Sequence, residues 1–402
     1  MFLAVACVFQ IAMLYSMFVQ SLSLIALGIL ALLTWQGDTP TLQVDDKFWQ
    51  RLGSFWSHPV WWVITLHFAI VLLGGFYSDD TQFWLTRLRI KAPFLLLPMA
   101  FFLIRPISRH TYHTIHASLI LVMSLSTLPI IGTIMGDPQA ILERLAEGQS
   151  IDTPGNHIRY SLLIALASAS AIILWAQNFR IYKSWEGRLW LALGIYLFVF
   201  AHLLAVRSGL LVLYAALFLL AWLGLIKRIK RQWSAVALVL LVASPILSYL
   251  AIPNLRTKID YTMRDLRHSN VATWSGYSDA QRLRSVQGGL HLAGEHPWIG
   301  VGAGDLRSSM KAYFLEHLDK TSFLLPHNQY ISIFAGSGLL GLILFLIALF
   351  APLVRYLDEP LLVVLHVVIV LSLLVENTFE VSSGVAIYIF YLGIGLNCRK
   401  GE

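Results

Sequence analysis

Apolar residues in this chain fall into long runs separated by short polar breaks. A helix that crosses a bilayer needs about 20 predominantly apolar residues. Residues 1–35 carry no charge and are long enough for two short spans broken near Gln20 and Ser21. Further runs cover 61–77, 83–104, 116–135, 158–177, 190–206, 210–226, 235–252, 330–350, 361–375 and 385–396. The pattern predicts an all-α polytopic membrane protein with about 12 transmembrane helices. It divides the chain into 1–252 with helices 1–9, a polar segment 253–326, and 327–402 with helices 10–12. Within the polar segment, Leu283, Val286, Leu290 and Ala293 recur at helical spacing, which predicts an amphipathic helix resting on the bundle through those residues.

Composition agrees with the pattern. Of 402 residues, 57% are hydrophobic and 13% charged, against about 25% charged in soluble domains. The first apolar run lacks a basic leading region and continues past Leu30, unlike a signal peptide. Cys7 and Cys398 do not suggest a disulfide framework. The net charge of +7 is clustered in short loops, so it reads as membrane topology and not as nucleic-acid binding. Arg105 and Arg109, then Arg180, Lys183 and Arg188, then the run 227–231, then Arg355, then Arg399 and Lys400 all share one side if twelve spans are counted. The positive-inside rule makes that side cytoplasmic. The 74-residue segment 253–326 then lies outside, together with Arg159, Arg207, His327, Glu376 and Glu380.

Candidate chemistry follows from that shared face. Pro326 suits a helix start, which puts His327 in or near the first turn of a membrane helix. The partial positive charge there disfavours the imidazolium, and a neutral His can serve as a general base. The plain alternative is an interfacial His without chemistry. Arg159 and Arg207 sit at the ends of apolar runs, where a charge is costly unless it is paired or faces water. Glu376 and Glu380 are one helical turn apart, placed to cap a helix end, to pair with these arginines, or to orient an Arg or His327. Arg282 and Arg284 are two residues apart, so a regular helix points them roughly 200° apart. Arg87, Arg89 and Lys91 read as cations snorkelling to headgroups, with contact to a lipid-linked anion as the alternative. His110, His113 and His116 fan across a helix with no carboxylate beside them and read as structural. Gly300-Val-Gly302-Ala-Gly304 follows no strand and reads as a turn, not a nucleotide loop.

The set as a whole resembles the O-antigen ligase and Wzy polymerase superfamily. The resemblance is carried by Arg282 ahead of His296-Pro297-Trp-Ile-Gly300-Val-Gly302 and by Pro326-His327-Asn328-Gln329-Tyr330 ahead of Gly338-Leu-Leu-Gly341. Glu376-Asn-Thr-Phe-Glu380 and Arg207-Ser208-Gly209 complete it, and Arg159 is a looser match. The C-terminal third matches best, whereas the first 150 residues match in hydropathy alone. The resemblance implies a GT-C-like, inverting glycosyltransferase of the bacterial inner membrane with a periplasmic active site and no metal or other cofactor. Its donor would be a glycan on undecaprenyl pyrophosphate and its acceptor lipid A–core. His327 and Arg207 would be catalytic, Arg282, Arg284 and Arg159 would hold the pyrophosphate, and Glu376 and Asn328 would support them. The chemistry of the residues agrees. Arg suits bidentate recognition of phosphate, and no carboxylate cluster suits Mg²⁺. A Wzy-type polymerase or a protein O-oligosaccharyltransferase would share these motifs. The rival class is a lipid or glycan transporter, which would carry midplane ionisable groups or broken helices in repeated halves. Neither is visible in the sequence.

Overall fold

A computed structural model describes residues 1–31, 34–36, 39–41, 48–222, 231–268 and 278–400. The N-terminal run forms α1 (Phe2–Tyr15) and α2 (Met17–Leu30), and the short antiparallel strands β1 (Thr34–Gln36) and β2 (Thr39–Thr41) follow. Next come α3 (Phe48–Phe55), α4 (Pro59–Trp62), α5 (Leu66–Gly74), α6 (Thr81–Leu103), α7 (Arg109–Gly136), α8 (Pro138–Ala146) and α9 (His157–Ala176). The middle of the chain forms α10 (Glu186–Leu204), α11 (Arg207–Trp222), α12 (Arg231–Ala251), α13 (Pro253–His268), α14 (Ser278–Glu295) and α15 (Leu306–Leu318). The chain ends in α16 (Gln329–Arg355), α17 (Pro360–Val375), a 3₁₀ turn Thr378–Glu380 and α18 (Ser382–Lys400).

Caps explain several of these boundaries. Ser16 is extended, and its Oγ accepts from Val19 N. The N-terminal run therefore breaks there and not at Gln20 and Ser21. Asp80, Ser108, Asp137 and Asn156 cap α6, α7, α8 and α9 in the same way. Both α9 and α18 are buried almost all round, from Tyr160 to Leu174 and from Val385 to Cys398. A helix that is apolar on every face needs such a central position. Around them, α10, α11, α7 and α17 pack on α9, and α6 packs on α18.

Among the described residues, four helices, α7, α9, α10 and α16, are long and apolar enough to cross a membrane. The count rises to six if each of two sharply bent pairs makes one span. The predicted span at 61–77 belongs to one of those pairs, bent by 79° between α3 and the α4–α5 stretch. The chain is thus a helical, multi-pass membrane protein. Helices α1 and α2, at 14 residues each, are only about 21 Å long, short of a hydrocarbon core about 30 Å thick.

The two ends of the bundle differ. One gathers cations at helix ends: Arg109 pairs with Glu359 at 3.4 Å, Arg399 with Asp358 at 2.6 Å, and Lys400 donates to Phe102 O at 2.6 Å. His110 packs against Phe179, tilted at 51°, at this same end. Of the basic run 227–231, residues 227–230 and the Arg231 side chain lie outside what the structure describes. The opposite end collects the N-termini of α9, α11 and α16 and the C-termini of α10, α12 and α17.

The segment 296–305 is more than a turn. Helix α16 is broken at Gly338, which lies at φ 64°, so the sequence conceals a broken helix. A break frees backbone groups on both sides, and the loop takes them. Leu339 N donates to Pro297 O (2.8 Å) and Leu340 N to Trp298 O (3.2 Å), while Val301 N donates to Ala335 O (2.9 Å) and Gly302 N to Gly336 O (3.1 Å). A Cβ at Gly338 would run into the Trp298 carbonyl. The break is filled by protein backbone, unlike the cavity-lining breaks of transporters. The Asp305 carboxylate then accepts from Asp79 N and Asp80 N, which pins the loop to the start of α6.

Candidate functional site

The chain starts α11 abruptly. Ala205 ends α10 in the left-handed region at φ 55°, with Val206 alone separating it from Arg207, the first residue of α11. Gly209 lets α11 close on Ser161 of α9, where a Cβ would clash. The guanidinium of Arg207 reaches α13, where Nη1 donates to Thr262 Oγ1 at 3.1 Å.

Helix α14 packs on α16 through small residues. Ser285, Gly288, Gly289, Leu292 and Ala293 are buried, and a Cβ on Gly289 would meet Pro326 and Ile331 at 2.7 Å. Leu283 and Leu290, half of the predicted apolar face, are 53% and 50% exposed. Close approach of the two backbones decides which face is buried, and hydrophobicity alone does not report that. The resulting rotation turns Arg282 towards α17, where its Nη2 lies 3.1 Å from Glu376 Oε1. The pair is close, yet among the described residues Oε1 receives no aligned hydrogen bond.

His327 precedes α16 and does not lie within its first turn. Asn328 is the cap: its Oδ1 accepts from Ile331 N at 3.1 Å, and its Nδ2 donates to Leu374 O at 2.9 Å, which ties α16 to the end of α17. The imidazole of His327 is held below its ordinary pKa chiefly by burial. Glu376 pulls the other way, Arg282 adds to the depression, and a hydrogen bond to Leu325 O opposes it. Burial thus does what the sequence assigned to the helix terminus.

These residues line one cavity of about 700 Å³. Arg207, Lys258, Arg282, His157, His327 and Glu376 supply its charged and imidazole groups, and Leu145, Leu204, Leu211, Val286 and Val375 supply apolar walls. Three cations face one carboxylate among the lining residues, a balance suited to an anion of the phosphate or pyrophosphate class. The structure does not bring Arg284 there. Its Nη1 donates to Gln287 on the exposed side of α14 at 3.1 Å, as the helix geometry predicts. Arg159 stands in the first turn of α9 and is not among the residues that line the cavity; it lies within electrostatic reach of Glu376, and its Nε has no hydrogen-bond partner among the described residues.

Sequence reasoning missed Lys258 and His157. Lys258 Nζ donates to Gly148 O (2.6 Å) and Gln149 O (2.8 Å) and lies over the Tyr261 ring. It comes from a polar helix in which no contrast with apolar neighbours marks it. His157 opens α9, where a start-of-helix His beside Arg159 was the available signal.

Glu380 proves not to be part of this cavity. Its carboxylate accepts from Arg87 Nε (3.1 Å) and Nη2 (3.0 Å), Lys91 Nζ (3.0 Å) and Gln329 Nε2 (2.8 Å). Arg87 Nη1 also reaches Ala303 O at 2.9 Å, and Lys91 Nζ reaches Phe379 O. Burial alone would raise the pKa of Glu380, but the two cations outweigh it and hold the group well below the usual carboxylate range. Arg87 and Lys91 are therefore buried ion-pair partners and not snorkelling cations, whereas Arg89 is exposed. Of the three spaced histidines, His116 faces Ser170 Oγ at 3.1 Å and His113 packs on Phe179. Among the described residues, no group of three or more His, Cys, Asp or Glu is placed to hold a metal ion.

Residues 191–346 match a family model described as O-antigen ligase. That stretch runs from α10 into α16 and includes Arg207, Lys258, Arg282 and His327. Glu376 and Arg159 lie outside it. Members of this family are glycosyltransferase-like enzymes acting on lipid-linked glycans. No curated protein matches the chain.

Proposed function

We propose that this O-antigen ligase family chain is an inverting, metal-independent glycosyltransferase that moves O-antigen polysaccharide from undecaprenyl pyrophosphate to lipid A–core. One observation carries the reading: His327 shares a cavity with Arg207, Arg282 and Lys258, at the end of the bundle opposite the cationic helix ends. The arginines grip the pyrophosphate and stabilise the charge that develops as it leaves. His327 takes the proton of the acceptor hydroxyl. The hydroxyl oxygen attacks the anomeric carbon as the C–O bond to pyrophosphate breaks, and the anomeric centre inverts. Glu376 steadies Arg282 and favours the protonated form of His327 once it has accepted the proton. Arg159 contributes its charge through its electrostatic reach to Glu376.

In this reading α1, α2, α6, α11, α17, α18 and the two bent pairs cross the membrane together with α7, α9, α10 and α16, giving twelve passes of a GT-C-like fold. The segment 253–326 is periplasmic between the membrane units 1–252 and 327–402. The cationic end faces the cytoplasm of a bacterial inner-membrane protein.

The test is acceptor dependence. Purified protein given lipid-linked glycan should release little product until lipid A–core is added, and transfer should survive excess EDTA. A deletion strain should keep full-length polymer on undecaprenyl pyrophosphate while its lipopolysaccharide migrates as bare core. If the protein lengthens donor chains unaided, the polymerase replaces the ligase. If EDTA abolishes transfer and Mg²⁺ restores it, the arginine account is wrong.

A further inference from the structure

Ser285 lies on α14 one turn after Arg282 and is fully buried. Its Oγ donates to Arg282 O at 2.7 Å. That uses the single hydroxyl hydrogen, so towards everything else Ser285 offers only lone pairs. One of these accepts from His327 N at 3.1 Å, and the other faces His327 Nδ1 at 3.4 Å. On its other side, Nδ1 lies 3.2 Å from Leu325 O, a carbonyl that can only accept. Both neighbours of Nδ1 therefore require a hydrogen on it. With Nδ1 unprotonated, two lone pairs would face a third across these contacts.

We propose that Ser285 is a positioning residue that, together with the Leu325 carbonyl, fixes His327 in the Nδ1–H tautomer and leaves Nε2 as the nitrogen that accepts the proton of the acceptor hydroxyl. The inference rests on His327 being the general base. A neutral imidazole has one basic nitrogen, and the hydrogen bond made by the other decides which it is. The same serine joins the two halves of the site. Its hydroxyl binds the backbone of Arg282, and its lone pairs hold the backbone and ring of His327, so the spacing of cation and base is set by one side chain.

The first measurement does not depend on activity. In detergent-solubilised protein labelled with ¹⁵N-histidine, the resonances lost in His327→Ala report this ring. They should show a protonated Nδ1 and an unprotonated Nε2 at a pH where the ring is neutral. A protonated Nε2 overturns the proposal even if His327 proves to be the base. A protonated Nδ1 with no loss of transfer in His327→Ala would leave the tautomer assignment standing and remove the catalytic reading instead.

The second measurement uses Ser285→Ala, which keeps the packing volume nearly unchanged. Turnover should fall about 10- to 100-fold, the range seen for groups that orient a working imidazole, with little change in donor KM. The Nε2–H form should become detectable. Ser285→Thr, which retains the hydroxyl, should recover most of the turnover. The acid limb of the pH profile reflects Glu376 and Arg282, which face the ring from α17 and α14, and Arg207, Lys258 and His157 across the cavity. Equal loss in Ala and Thr variants with an unchanged tautomer would overturn the assignment.

Discussion

Glu376 and Glu380 are four residues apart, and their surroundings make them opposites. Glu380 is buried and receives hydrogen bonds from Arg87, Lys91 and Gln329. It joins α6, α16, the 3₁₀ turn and, through Arg87, the docked loop at Ala303. Glu376 lines a cavity and, among the described residues, pairs with Arg282 without an aligned hydrogen bond to Oε1, with Arg159 within electrostatic reach. A carboxylate whose lone pairs are filled is a fixture of the fold. One left partly unfilled beside a cation and a neutral imidazole can respond to a ligand. The same residue type, four residues apart in an extended stretch and a 3₁₀ turn, is locked into the fold in one place and lines a cavity in the other.

The largest effect should come from breaking the filled site. Glu380→Ala strands Arg87 and Lys91 as buried unpaired charges, and removing one partner of a buried pair costs about 3–5 kcal/mol. The expected outcome is little or no protein in the membrane fraction and a sharply lower thermal midpoint in detergent. Glu376→Ala should behave differently. The protein should reach the membrane at normal level with a near-normal midpoint, while transfer falls about 10-fold, as for other lost orienting partners. Equal depletion of both variants would erase the distinction drawn here.

Much of this contrast was hidden in the sequence. The apolar runs gave most helix positions, because a long uncharged run has few alternatives. Arg207, His327 and Glu376 stood out because each borders such a run, and Arg282 because it precedes the His296–Gly302 motif within the polar segment. Glu380 looked equivalent to Glu376, since its partners Arg87 and Lys91 lie some 290 residues earlier and only the fold brings them together. The break at Gly338 was invisible because Gly338 and Gly341 sit in an otherwise unbroken apolar stretch. Lys258 and Ser285 carried no signal at all, being ordinary residues of polar helices. Pro326 pointed to a helix start that Asn328 in fact supplies.

A finer test separates the two charges that act on His327. Burial lowers its pKa, so the ring should stay neutral, and transfer should persist, to lower pH than for a free imidazole. As pH falls through that lowered value the ring protonates and transfer is lost. Glu376 raises the pKa, so Glu376→Gln should move the acid limb of the residual activity to still lower pH. Arg282 lowers it, so Arg282→Ala should move that limb up. Shifts of the same sign in both variants would contradict the placement of His327 between them.

The most direct measurement is transfer by purified His327→Ala, with lipid-linked glycan and lipid A–core supplied in EDTA and the variant matched to wild type in amount and thermal midpoint. A cavity that works through His327 predicts a fall of about 10²- to 10⁴-fold, the usual contribution of a general base, with donor binding retained through Arg207 and Arg282. Near-normal transfer by a folded His327→Ala protein would contradict the account and return this residue to an interfacial side chain without chemistry.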